Sequence, residues 1–197
     1  MIHRILNVED LSINERELEA RLSYGSVSDE MIKRLYSELS EVARPSYTAI
    51  RVKLLRENDG IVLGTAHSKS RSLMRLCRES SECFLLSATL GLSVDRLIMK
   101  RSLKSPSEAF VIDALADTMI EAVCDAAENE VTDGLDTTGR FSPGYGDLEL
   151  SLGSEILTLC DAEKLLGIKM TESGLMVPKK SVSAIIAIKD NVNENNR

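Results

Sequence analysis

A chain of 197 residues with 43% hydrophobic content suffices for one globular domain or two tightly joined lobes. Its net charge of −7, its 4% aromatic content and its lack of tryptophan provide no basic, ring-bearing surface for nucleic acid. No apolar run approaches the roughly eighteen residues a membrane span needs, and the N-terminus, Met1-Ile2-His3-Arg4-Ile5-Leu6, is too short and too soon acidic for a signal peptide, so the sequence points to the cytoplasm.

Weak alternation predicts a short strand over 2–8. Asn14 is placed to cap a helix over 15–23, with Leu18 and Leu22 as its apolar stripe and Gly25 as its stop. Ser28 starts a second helix through Ile32, Leu35, Leu39 and Val42, ended by Arg44-Pro45. Residues 47–55 are rich in β-formers, and Asn58-Asp59-Gly60 turns them back into Ile61-Val62-Leu63. A helix over 68–77 follows, then a buried strand over 83–88 and a helix over 92–104 with Val94, Leu97 and Ile98 inward. Ser105 caps, and Pro106 opens, the longest helix, 106–131, whose apolar face is Ile112, Leu115, Met119, Ala122, Val123 and Ala126.

Residues 132–146 read as a loop with glycines at 134, 139, 144 and 146. An amphipathic helix over 151–166 stops at Gly167. Strands are predicted over 168–172, 175–177 and 182–189, and the polar tail 191–197 is expected to be flexible. Long helices mixed with hairpins, without strict βαβ alternation, give an α+β class with a bent antiparallel or mixed sheet. Four scattered cysteines, Cys77, Cys83, Cys124 and Cys160, contain no C-x-x-C and read as buried thiols, and with only His3 and His67 as imidazoles no metal site is expected. No G-x-S-x-G, H-E-x-x-H, P-loop or G-x-G-x-x-G fingerprint is present, so no catalytic residue is assigned.

The densest signal is Arg140-Phe141-Ser142-Pro143-Gly144-Tyr145-Gly146-Asp147. It joins a planar cationic fork, a fixed φ, glycines that permit close approach and an aromatic ring. About thirty residues on come Met170-Thr171-Glu172-Ser173, Met176-Val177-Pro178 and Ser181-Val182-Ser183. In order and spacing these blocks resemble the S-adenosylmethionine-binding activation domain of cobalamin-dependent methionine synthase, whose pattern runs R-x-x-P-G-Y, T-E-S, M-x-P and S-V-S. The match spans about 106–188, leaving 1–105 as a helical and hairpin part with poor similarity and 106–190 as the ligand-binding part of what reads as one compact domain. The family's early aspartate-containing segment and late tyrosine region have no counterpart in this sequence.

The resemblance implies a fold like that domain and a ligand site at Arg140, Phe141, Ser142, Gly144 and Tyr145. Arg140 would take the ligand carboxylate through two parallel hydrogen bonds, Tyr145 would stand beside the sulfonium, and Gly144 would let the backbone approach the adenosine. The acid for the ammonium would be Glu121. Asp113, Asp117, Glu121 and Asp125 recur at i, i+4, so they also read as a solvated acidic face whose repulsion a bound cation would offset. Thr171 and Ser173 would face one way along a strand and Glu172 the other, with Glu172 supporting the glycine loop and Ser181 serving as a hydrogen-bonding strand residue. No D-x-H-x-x-G corrinoid signature occurs, so cobalamin would come from a separately encoded methionine synthase or other corrinoid protein, with a flavodoxin-like electron donor. The implied role is reactivation of that partner by reductive methylation of cob(II)alamin. The alternatives are a non-catalytic module that senses S-adenosylmethionine and a scaffold that has lost the ligand.

Overall fold

In the computed structural model, which describes residues 1–22 and 27–190, the chain runs β1 (Ile2–Ile5), α1 (Glu15–Leu22), α2 (Asp29–Val42), β2 (Ser46–Glu57), β3 (Gly60–Leu63), β4 (Ala66–Ser68), α3 (Arg71–Leu76), β5 (Ser80–Thr89), α4 (Leu92–Ser102), α5 (Pro106–Val131), α6 (Leu152–Leu159), α7 (Ala162–Leu166), β6 (Lys169–Met170), β7 (Met176–Val177) and β8 (Ser181–Lys189). The expected stop at Gly25 and the tail 191–197 lie outside the described residues.

The helix starts follow from capping chemistry. The Glu17 N–H donates to Asn14 Oδ1 at 3.2 Å, Met31 N–H to Ser28 Oγ at 3.3 Å, Leu73 N–H to Ser70 Oγ at 3.0 Å and Glu108 N–H to Ser105 Oγ at 3.4 Å. Each such bond satisfies an amide that the first helical turn leaves without a partner.

The strands form one antiparallel sheet in the order β4-β3-β2-β5-β8, with β1 also on β2, while β6 and β7 make a separate hairpin. β2 changes neighbours along one edge, meeting β1 over Ser46–Ala49 and β3 over Leu54–Glu57. β8, from the C-terminal part of the chain, pairs with β5 from the N-terminal part, so both parts share the sheet. The architecture is α+β, with every pairing among the described strands antiparallel.

β5 and β8 read as unbroken apolar runs because both of their faces are covered. Phe84, Leu86, Ala88, Ala184, Ile186 and Ile188 join Leu35, Leu39, Val94, Ile112, Leu115 and Met119 in one core. The intervening Cys83, Leu85, Ile185 and Ala187 join Leu73, Leu152, Ile156 and Ala162 in a second core on the other face. Each fully buried Leu or Ile contributes about 1.5–3 kcal/mol, and α5 lies so deep that Ala114, Ala116, Ile120, Cys124 and Ala127 are buried along with Ile112, Leu115, Met119, Ala122 and Val123 of its expected face, whereas Ala126 is half-buried.

Several expectations need correction. The strand expected over 2–8 ends at Ile5 and gives way to a 3-10 turn at Val8–Asp10. The helix expected over 68–77 is shortened by β4, which turns back on β3 through Gly64 at φ +65°. The helix expected over 151–166 is broken into α6 and α7 at Asp161, which is left-handed at φ +51°. The cause is local to the core: the Thr48 hydroxyl donates to the Cys160 carbonyl at 3.2 Å and the Cys160 thiol donates to the Leu85 carbonyl at 3.4 Å, which ties that turn to the sheet. The strand expected over 168–172 is only two residues long, and 171–173 belong to the turn after it.

Candidate functional site

One face of α5 carries Asp113, Asp117, Glu121, Asp125 and Glu128, and the cations that offset their repulsion are the chain's own. Lys180 Nζ lies 2.8 Å from Asp113 and 2.6 Å from Asp117, which also meets Arg21 at 3.2 Å. Arg140 takes the rest: Nη1 is 2.6 Å from Glu128, and Nη2 is 2.7 Å from Asp125 and 3.2 Å from Glu121. Its side chain is only 19% exposed. Burial alone would weaken the charge, but the hydrogen bond to Asp125 and the surrounding carboxylates outweigh it and raise the guanidinium pKa.

Arg140 is delivered to α5 by the segment before the glycine loop, which runs antiparallel along the outer edge of β8. Lys189 N–H donates to Asp136 O at 2.9 Å, Thr138 N–H to Ala187 O at 2.9 Å, and Phe141 and Ile185 exchange both amide bonds at 2.9 Å. The loop then folds on itself, with Gly144 N–H donating to Leu148 O at 2.9 Å and Tyr145 N–H to Ser142 O at 3.2 Å. Gly144 sits at φ +93°, and a Cβ there would lie 2.9 Å from Leu150 Cδ2. The close approach is therefore to Leu150, within the loop itself.

Two acids anchor the loop to the first turn of α3 and the residues before it. Asp147 accepts from Ser70 Oγ at 2.6 Å and from the Arg71 and Ser72 amides at 2.8 and 3.1 Å, and Glu149 accepts from Ser68 Oγ at 2.8 Å. The Ser70 and Ser72 hydrogen bonds, with those backbone amides, hold the Asp147 carboxyl well below the ordinary range. A depressed carboxyl contributes stability in full above its unfolded value of about 3.9 and loses it as pH falls below that. Asp147→Asn is thus expected to melt below wild type at pH 7, with the gap narrowing toward pH 3. Equal melting temperatures at pH 7 would remove Asp147 as the anchor.

Glu121, Asp125, Glu128, Arg140, Phe141, Ser142, Tyr145 and Val182 line one cavity of about 340 Å³, with Tyr145, 68% exposed, at its mouth. Larger spaces of about 760 and 830 Å³ run beside α2, and one of about 400 Å³ lies around α6, α7 and Met170, but none of them includes Arg140, Phe141, Ser142 or Tyr145. Gly144 is not part of the lining. Glu172 does not support the glycine loop. It is exposed in the β6–β7 turn, where Thr171 Oγ1 lies 2.9 Å from Ser173 Oγ and accepts from Leu175 N–H at 3.0 Å. Gly174 at φ +79° closes this turn, which is why 171–173 do not alternate as a strand would. Ser181 is buried in the sheet and bonds Thr89 Oγ1 at 2.8 Å. Asp125, placed only within the acidic stripe by its spacing, and Glu128, at i+7 from Glu121, are the additional residues that line the cavity.

All four thiols are free and buried, and burial pushes Cys77 and Cys160 up to about 11 and Cys124, beneath Arg140, up to about 12. Folding gathers Glu57, Asp59 and His67, all exposed, on the β2–β3–β4 end, where Lys69 Nζ already holds Asp59 at 2.5 Å.

No protein-family model matches the chain, and no curated protein matches it in sequence. Among solved structures, the crystal structure of the MetH reactivation domain bound to AdoHcy is similar, with a TM-score of 0.71 at 17% identity, covering 98% of this chain and 79% of that one. The likeness establishes a shared fold, and it extends over residues 1–105, where the sequence motifs do not reach. No helix among the described residues is long and apolar enough to cross a membrane.

Proposed function

We propose that the chain binds S-adenosylmethionine in the cavity between α5 and the glycine loop, and that it serves the reductive methylation of cob(II)alamin held by a separate polypeptide in the cytoplasm. The observation that carries this reading is the Arg140–Glu121 pair. At 3.2 Å it is the longest of the three contacts to Arg140, and Glu121 faces a cavity rimmed by Tyr145. The amino-acid end of the ligand is a zwitterion. Inserted between these two side chains, it replaces one internal ion pair by two, carboxylate on Arg140 and ammonium on Glu121, with no net charge buried. Asp125 and Glu128 keep the guanidinium in place meanwhile. The fold shared with a reactivation domain bound to AdoHcy supports an adenosyl ligand of this class.

S-adenosylmethionine supplies an already activated methyl group, the partner's cobalamin accepts it, and a flavodoxin-like protein supplies the electron. The chain's own work is positioning. A non-catalytic sensor is the second reading, favoured by one observation: three carboxylates engage Arg140, so a ligand carboxylate must displace at least one of them and rearrange the site. Methyl-labelled S-adenosylmethionine, mixed with this chain, a corrinoid protein and a reductant, separates the two. Label on the corrinoid supports reactivation, whereas binding without transfer supports sensing.

Glu121→Gln tests the exchange of ion pairs. It is expected to weaken S-adenosylmethionine and S-adenosylhomocysteine alike, by about ten-fold, because both carry the ammonium. A penalty confined to S-adenosylmethionine in calorimetry would move Glu121 to the sulfonium, and a penalty no larger than that of Asp113→Asn would remove it from the site.

A further inference from the structure

Positive charge gathers where the turn after α3 meets the end of β8. Arg75, Arg78, Glu79, Ser80, Thr138 and Lys189 line a cavity of about 290 Å³ there. Three cations against one acid reverse the sign of the whole chain, whose net charge is −7. The nearby acids do not use up that charge. Glu79 lies 3.6 Å from Arg78 with both side chains largely exposed, Asp136 stands outside the lining and meets Lys189 at 2.7 Å, and Arg75 makes no ion pair among the described residues. The backbone carbonyls of the turn, which would repel an anion, are taken by a fourth cation: Arg56 Nη2 donates to Cys77 O, to Arg78 O at 2.7 Å and to Ser80 O at 3.3 Å.

Two hydroxyls complete the lining. The β5–β8 register shifts between Ser80 and Glu82, and such a bulge re-aims side chains. Ser81 Oγ donates to Asp190 at 2.6 Å, whereas Ser80, only 5% exposed, has a buried hydroxyl with no hydrogen-bond partner. Buried hydroxyls almost always have one. Thr138 Oγ1 accepts from Ala187 N–H at 3.0 Å, which leaves its own proton to donate. We propose that this cavity binds a phosphate group, held by Arg75 and Arg78, with Lys189 adding charge and the Ser80 hydroxyl supplying the donor that the chain itself leaves unused. Donors that converge from the turn, from β5 and from the segment before Arg140 suit a tetrahedral anion with oxygens on several sides better than a planar carboxylate. The volume lies at the lower end of the roughly 300–1,000 Å³ of small-molecule sites, so the occupant is the free anion or a small ester. The site is separate from the cavity beside α5 and does not rest on the binding reading above, although Thr138 lines the one and Arg140 and Phe141 the other.

The test titrates inorganic phosphate and ribose 5-phosphate into the chain at about pH 8, above the second phosphate pKa of about 6, with chloride at equal ionic strength as the control. Amide chemical shifts locate the binding and calorimetry gives its strength. Saturable binding with a dissociation constant of about 1 mM is expected, with shifts confined to residues 75–81, 138 and 189. Tighter binding of the ester assigns the site to a phosphorylated metabolite, and equal or tighter binding of inorganic phosphate assigns it to the free anion. Arg75→Gln should weaken either by about ten-fold, the effect of losing a hydrogen bond to a charged group. Ser80→Ala separates the proposal from a merely structural serine. Its hydroxyl has no partner in the chain, so the melting temperature without phosphate should not fall, while most of the rise that phosphate produces should disappear. Shifts no larger than those with chloride, or phosphate binding unchanged in both Arg75→Gln and Ser80→Ala, overturn the proposal.

Discussion

Arg140→Ala is expected to lower both ligand affinity and stability. The substitution leaves Glu121, Asp125 and Glu128 facing one another without their shared cation. Breaking a fully buried ion pair from one side costs about 3–5 kcal/mol. These carboxylates are partly exposed and rehydrate, so about 1–3 kcal/mol is the fitting range, a melting temperature lower by roughly 5 °C for a chain of this size. The loss of the charged hydrogen bonds to a ligand carboxylate should weaken binding by ten- to a hundred-fold, about 1.5–3 kcal/mol. Arg140→Lys distinguishes charge from shape, since an ammonium cannot span Glu128 on one side and Asp125 with Glu121 on the other as the planar fork does. It should recover part of the stability and little of the affinity. Urea unfolding and calorimetry give the two numbers, and an Arg140→Ala protein equal to wild type in both would place the arginine outside the site.

Gly144→Val is expected to abolish binding through the loop's own geometry. A β-branched residue at φ +93° is strained by about 1–3 kcal/mol, and its Cβ would start 2.9 Å from Leu150 Cδ2. Leu150 is largely exposed and can swing aside, so the backbone strain dominates. The loop then relaxes by giving up the Gly144–Leu148 amide bond, and Phe141, Ser142 and Tyr145 leave their places around the cavity. The sheet and helices do not depend on this turn, so the far-UV circular dichroism spectrum should be unchanged while the amide of residue 144 loses its protection from hydrogen exchange. Wild-type affinity in this variant would reduce Gly144 to a surface turn residue.

Much of the fold is legible in the sequence because its signals are local. Ser28, Ser105-Pro106 and the Asn58-Asp59-Gly60 turn each mark a boundary where it occurs, and α5 runs over the residues its apolar periodicity gives. What escapes is set by contacts distant in sequence. The break at Asp161 depends on Thr48 reaching across the sheet to Cys160, and no pattern within 151–166 records that. Apolar neighbours hide the turn at 171–175, although Gly174 is a local sign of it. The site shows the same division. The acidic stripe is visible as an i, i+4 pattern, but its division between Lys180 and Arg140 exists only once β8 and the loop lie against α5. Likewise Glu172 is placed by its motif near the loop, whereas the residues that secure it, Asp147 and Glu149, act on a segment some seventy-five to eighty residues earlier.

The segment 136–141 does more than carry Arg140 to α5. It lies along the outer edge of β8, whose centre reads Ile185-Ile186-Ala187-Ile188, and takes up the amides and carbonyls of that edge. Bare, such an edge is a template on which a strand from another molecule can add, and its aliphatic composition suits the stacked sheets of an aggregate. The loop that shapes the cavity beside α5 therefore also guards this edge against self-association. Variation in it answers to solubility as well as to the shape of the cavity, and whatever steadies the loop also protects the edge of that strand.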